Sequence, residues 1–219
     1  MPSAEKVVQR ASNGLRTLLE DHGIDESHGH AHALQVLDHT DRALQAANPA
    51  LPTARALSVR LAALLHDADD RKFFPETAAS YGNASALMAD AGAHDFGEEV
   101  IPAALRMISL VSCSGNGNSV PPEAAHAPEM LWPRWADRLE ATGEIGVVRC
   151  FQYNISIGAP LALESTPRPT SPAGVWALAT PERFSQYQAS GGGSASMIDH
   201  YYDKLLQVAR PPSEAVRNR

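Results

Sequence analysis

Apolar residues in this chain recur every three or four positions, and nowhere do they alternate over the length of a strand, so the chain is constrained to helices packed on helices. Residues 4–22 place Val7, Val8, Ala11, Leu15, Leu18 and Leu19 on one helical face, with Ser3 set to cap the start and Gly23 to end it. A second helix is predicted to open at Asp25-Glu26-Ser27 and to run through His28, His32, Val36 and Leu37 to about Ala47, where Asn48-Pro49 and Pro52 close it. A third, over 53–65, turns Leu57, Leu61, Ala62, Leu64 and Leu65 inward. Two further amphipathic segments, 77–91 and 96–112, are separated by Gly92.

Residues 112–128 are rich in Gly, Asn, Ser and Pro and read as a surface loop. From Met130 to about Tyr153 the pattern predicts one long helix with Trp135, Leu139, Thr142, Ile145, Gly146 and Val148 on its inner side. Residues 154–194 lose this periodicity among five prolines and the Gly191-Gly192-Gly193 run, and read as a lid or irregular loop with a glycine hinge. Residues 195–210 recover it and read as a docked C-terminal helix. A chain of 219 residues with 44% apolar content can bury one proper core. The expected architecture is a single all-α domain over 1–219, with a long Pro/Gly-rich segment before its last helix.

Charge and cysteine usage narrow the function. A formal charge of -7 disfavours a nucleic-acid partner and leaves a small anionic substrate open, held by a local basic pocket. Cys113 and Cys150 form no metal-binding or redox spacing and are expected as free thiols in a reducing, cytoplasmic compartment. The first residues do not form a secretory leader, and no apolar run reaches the ~20 residues needed to cross a bilayer. No membrane partner is therefore expected.

The third helix ends in Leu64-Leu65-His66-Asp67-Ala68-Asp69-Asp70-Arg71-Lys72, so an apolar run delivers one histidine, three carboxylates and two cations. A carboxylate placed near a core needs a partner that offsets its lost hydration, and a bound cation would supply one. Two other places carry similar residue types: His28-Gly-His30-Ala-His32 and Ala136-Asp137-Arg138-Leu139. On a helix His28 and His32 share a face while His30 points away. Imidazole plus carboxylate, without thiolate, suits a first-row divalent metal better than structural zinc.

These positions together resemble the HD-domain metal-dependent phosphohydrolases, in which a His on one helix, a His-Asp pair ending a later helix and a distant Asp hold the metal. His32 in His-Ala-Leu-Gln-Val, the His66-Asp67 pair in Ala-Leu-Leu-His-Asp, and Asp137 in Ala-Asp-Arg-Leu-Glu-Ala-Thr-Gly-Glu-Ile-Gly carry the match. Ser-His-x-x-x-His at 27–32, Ile-Ser-x-x-Ser-Cys-Ser near 108–114 and Ser-Met-Ile-Asp-His-Tyr-Tyr-Asp-Lys-Leu-Leu at 196–206 are similar to the small bacterial branch that includes nucleotide pyrophosphohydrolases.

The resemblance implies an HD-domain helical bundle with one divalent ion (Mn²⁺, Fe²⁺, Ni²⁺ or Mg²⁺) on His32, His66, Asp67 and Asp137. The substrate would be a small phosphorylated metabolite or nucleotide, and a homodimer is left open. Asp70 is the candidate for orienting or deprotonating a water, and Lys72 for meeting a phosphate, with His28, Arg71 and Arg138 as further substrate contacts. Arg71 and Arg138 read equally well as structural ion-pair partners. Asp69 is expected to face solvent or to lie beside the ligands. Trp132, Trp135, Phe151, Tyr153 and Tyr187 are expected in the core rather than stacked on a base.

Two other functions fit the same residues. A di-iron oxygenase on this scaffold needs extra histidines between the His-Asp pair and the last Asp, where only His94 and His126 occur. A non-catalytic module, stabilised by its metal and using 154–194 to recognise a partner, needs neither Asp70 nor Lys72.

Overall fold

The computed structural model describes residues 2–24 and 28–210, which are all-α, with no strand among them. The described residues group into two compact units, one built on those of 2–111 and 121–137, the other on 112–120 and 138–210. No described helix is long and apolar enough to cross a membrane.

In the first unit, α1 (Ala4–Asp21) begins where Ser3 Oγ accepts the Lys6 N–H at 3.3 Å and ends before Gly23, whose φ of 61° only glycine adopts readily. Its apolar stripe, Val7, Val8, Ala11, Leu15 and Leu19, is buried. α2 (His30–Ala46) and α3 (Thr53–Leu64) follow. α3 is buried around most of its circumference, at Leu57, Val59, Leu61, Ala62, Ala63 and Leu64, with Arg60 on the remaining side pairing with Glu5 and Asp41. A helix of that composition belongs in the middle, and α3 packs against α1, α2 and α5 (Val100–Ser109). α4 (Gly82–Ala91) lies on α1.

Beyond α3 the chain does not re-enter a helix but descends through successive turns, with Ala68 N–H donating to Leu65 O, Asp70 N–H to Asp67 O, and Phe73 and Phe74 N–H to Asp70 O. These turns hold residues 66–74 against the unit, with Phe74 buried as their anchor.

The second unit contains α6 (Cys113–Asn116), α8 (Gly143–Ser156), α9 (Pro172–Ala177), α10 (Pro181–Ala189), α11 (Met197–His200) and α12 (Leu206–Val208). A π-helical turn over Tyr201–Leu205 joins the last two into one run. Cys150, Met197, Leu205 and Val208 form its core, with Cys113, Ala141 and Tyr201 against it, and both cysteines are free. Asp199 ties the run to the chain before it: its carboxylate accepts from Thr166 Oγ1 and Ser196 Oγ, both at 2.7 Å, and from Arg183 Nη2 at 2.9 Å.

Several predicted boundaries move. The expected opening of α2 at Asp25-Glu26-Ser27 lies outside the described residues. α2 itself starts at His30, with Gly29 as extended N-cap, so His28 precedes the helix instead of sharing its face with His32. α4 begins at Gly82, not 77, because Tyr81 takes a left-handed conformation (φ 53°) that no helix continues through. α5 covers Val100–Ser109 rather than 96–112, starting only after Gly97 at φ 134°. The single long helix over 130–153 is broken into α7 (Trp132–Leu139) and α8, with Gly143 at φ 61° where α8 begins. The break resets the helical phase. Trp135 and Gly146 stay buried, but Leu139, Ile145 and Val148, expected inward, are 53%, 47% and 50% exposed. Of the aromatic residues expected in the core, Trp135 and Tyr187 are buried and Phe151 is not.

The loop over 112–128 holds α6 and a 3-10 turn at Pro122–Ala125. The segment 154–194, expected to be irregular, contains α9 and α10. Each opens on a hydroxyl followed by proline: Ser171 Oγ accepts Gly174 N–H at 3.1 Å, and Thr180 Oγ1 accepts Arg183 N–H at 3.3 Å.

Candidate metal centre

Three elements of the first unit meet where Val36, Ala63 and Ala136 form a small buried cluster. Each sits within a turn of a predicted ligand: Val36 four residues after His32, Ala63 three before His66, Ala136 just before Asp137. Their small side chains let α2, the end of α3 and α7 approach closely, and that approach brings the polar groups into one place.

His32 Nε2 lies 3.2 Å from His66 Nε2, 3.4 Å from Asp137 Oδ1 and 3.9 Å from Asp67 Oδ2. His66 Nε2 lies 3.2 Å from Asp67 Oδ2 and 3.7 Å from Asp137 Oδ1. Both histidines are buried, whereas the Asp67 and Asp137 side chains are about a quarter exposed, so one side of the cluster opens to solvent. His32, His66 and Asp137 supply donor atoms all within 4.8 Å of one another, and Asp67 reaches both imidazoles.

These residues fit a divalent ion. Donors held at bonds of about 2.1 Å are about 3.0 Å apart at right angles and about 3.4 Å apart in a tetrahedron, close to the spacings here. The outer nitrogen of His66 is also set: Nδ1 faces Ala63 O at 2.8 Å, so Nδ1–H donates there and Nε2 is the ring nitrogen turned to the cluster. His32 Nδ1 is buried with no hydrogen-bond partner among the described residues, leaving Nε2 as the working atom of that ring.

Electrostatics point the same way. Burial opposes a charged His66, but the Asp67 and Asp137 carboxylates outweigh it and push the imidazole up to about 9. Asp67 is held well below the usual carboxylate range, against the opposing effect of burial, by His66 and, at longer range, His28 and His32. Asp137 is lowered, again against burial, by the hydrogen bond from His32 and the charge of His66. The charged His66 imidazole thus offsets two ionised carboxylates at the edge of the core, a place that a divalent ion could take in exchange for the proton.

The remaining predicted residues divide. Asp70 and Lys72 pair with each other in the turn after Asp67: Lys72 N–H donates to Asp70 Oδ1 at 2.9 Å, and Lys72 Nζ is 3.8 Å from Asp70 Oδ2. Arg71, between them, is exposed. His28 is half-buried, edge-on to Phe73, and close enough to Asp67 to lower its carboxyl. Arg138 is buried and directed elsewhere, donating to Asn118 Oδ1 and Gly117 O in the second unit. His30 points away from the cluster, as expected, and bonds Ser12 Oγ at 2.8 Å. His94 and His126, the histidines a di-iron site would need, are exposed.

Asp69 does not face solvent. It is 7% exposed, and its two oxygens accept the N–H groups of Asn83 at 3.0 Å and Ala84 at 2.8 Å, capping α4 from fourteen residues upstream. Asn83 reciprocates by donating to Ala68 O at 2.9 Å. Reading by residue type missed this role and that of the Ala63 carbonyl. The first needs a contact distant in sequence, and the second is made by backbone.

No family model matches the chain. A solved structure of a Lactobacillus plantarum protein, a Northeast Structural Genomics target, matches 94% of this chain and 83% of its own at TM-score 0.64 and 21% identity, a likeness of fold alone. The uncharacterized protein L803 of Acanthamoeba polyphaga mimivirus is 37% identical over 206 residues, covering 90% of this chain and 81% of that protein. This chain belongs to the same family as mimivirus L803.

Proposed function

We propose that the protein is an HD-type, metal-dependent phosphohydrolase acting on a phosphoester or phosphoanhydride of a small, nucleotide-like metabolite. The observation that carries this reading is the convergence of His32, His66, Asp67 and Asp137 from three separate segments onto one partly open cluster. His32 and His66 would hold the ion through Nε2, and Asp67 and Asp137 through their carboxylates. Mn²⁺, Fe²⁺, Ni²⁺ and Mg²⁺ are the candidates. A bound ion would polarise a phosphoryl oxygen and lower the pKa of a water.

The chain's own residues do the rest. Asp70 accepts the proton of the attacking water, and its orientation is fixed by the Lys72 N–H. Lys72, with 43% of its side chain exposed, brings a cation to an anionic substrate, and exposed Arg71 adds a second. His28 balances charge beside Asp67. Two free thiols support a cytoplasmic setting. No described histidine beyond His32 and His66 joins the cluster, so the di-iron reading gains no support.

The test is release of phosphate or pyrophosphate from a nucleotide panel with Mn²⁺. Wild type should turn over at least one member, and Asp70→Asn should lose activity while keeping its metal. A metal-loaded protein inert on every nucleotide and phosphomonoester offered would overturn the reading.

A further inference from the structure

The buried side of α8 is made by Gly146, Cys150 and Asn154, spaced one turn apart, and Cys150 enters the core of the second unit. Opposite such a side a surface helix normally carries polar residues. Here it carries Ile145, Val147, Val148, Phe151 and Ile155, exposed by 47%, 41%, 50%, 48% and 62%. At about 100° per residue they fill an arc about 160° wide, shared only with Glu144 and Gln152. A helix apolar on both sides is one that buries both.

We propose that this face is the two-fold interface of a homodimer, covered by the same face of a second copy of the chain. Area supports that occupant. Side chains of this size present roughly 150–200 Å² when free, so five at half exposure offer about 400 Å² of apolar surface. In a homodimer interface that is about 65% apolar, this corresponds to about 650 Å² per protomer and about 1,300 Å² in all, within the range of about 1,200–2,000 Å² for stable complexes.

The face also complements itself. With two copies of α8 antiparallel about a two-fold axis at Val148, Val148 meets its own copy at the centre, flanked by Ile145 and Phe151 of both copies. One carboxylate and no cation lie in the arc, which does not fit a nucleic acid, an anionic lipid surface or an acidic partner.

Sedimentation of the full-length protein tests this. Wild type at about 10 μM should sediment at twice its 23.4 kDa, and Phe151→Glu, with unchanged circular dichroism, at 23.4 kDa. Because Val148 sits on the axis, Val148→Cys should form an intermolecular disulfide with its own copy under mild oxidation, whereas wild type and Ser156→Cys, at the margin of the arc, should not. The cross-link decides the matter even if Phe151→Glu fails to fold. A wild type that is monomeric throughout, a dimer that Phe151→Glu leaves intact, or no Val148→Cys disulfide would overturn the proposal.

Discussion

Replacing Asp69 by alanine tests a structural role for one acid of the turns that follow α3. The carboxylate accepts the N–H groups of the second and third residues of α4, at 3.0 and 2.8 Å, and is 7% exposed. Hydrogen bonds to a charged acceptor are worth about 1.5–3 kcal/mol each, most when the abandoned donor cannot reach water. Ala84 is buried and its N–H would have no substitute, whereas Asn83 is half-buried and would recover part of its loss. Asp69→Ala should therefore cost about 3 kcal/mol, which for a chain of this length lowers the melting temperature by about 6–12 °C. Asp69→Asn, keeping one acceptor without the charge, should fall between. Thermal melts followed by circular dichroism measure the loss, and Mn²⁺ stoichiometry on the same samples should stay at the wild-type value. A melting temperature within about 2 °C of wild type, or a loss of metal at unchanged stability, would refute the capping role.

Other outcomes follow from the second unit. A Cβ at Gly146 would stand 2.4 Å from the Ala141 carbonyl carbon, a backbone atom that cannot swing aside, so Gly146→Ala should destabilise by about 1–3 kcal/mol in urea titrations. Burial raises the Asp199 carboxyl, but hydrogen bonds from Ser196, Thr166 and Arg183 outweigh it and hold it below its unfolded value of about 3.9. A lowered folded value means stability that is present above about pH 4 and lost as pH falls through the folded value. The stability gap between wild type and Asp199→Asn should accordingly be full at pH 6 and narrow steadily below pH 4, and a gap independent of pH would refute that assignment.

α1 was legible in the sequence because local signals agreed, a serine cap, an unbroken apolar period and a glycine stop, and α3 because Pro52 precedes a run of apolar residues at helical spacing. That His32, His66, Asp67 and Asp137 lie together was legible through the resemblance to the HD-domain proteins, which matched these four positions as a set. What stayed hidden depends on backbone conformation or distant contacts. Gly143 looks like any helical glycine until its φ of 61° splits the predicted long helix, and the split turns Ile145 and Val148 outward. The prolines of 154–194 argued against structure, yet Ser171-Pro172 and Thr180-Pro181 are helix openings. Asp69 looked like one more acid in an acidic run, and only the fold brings α4 to it.

Binding of Mn²⁺ to the full-length protein, followed by loss of the free-ion electron paramagnetic resonance signal, tests the central claim most directly. One ion should bind per chain, and His32→Ala, His66→Ala and Asp137→Ala should each abolish that binding while retaining helical circular dichroism. Arg138→Ala, whose side chain serves Asn118 and Gly117, should bind like wild type if it folds. Wild-type protein that binds no ion, or ligand variants that bind as well as wild type, would contradict a metal centre at His32, His66, Asp67 and Asp137.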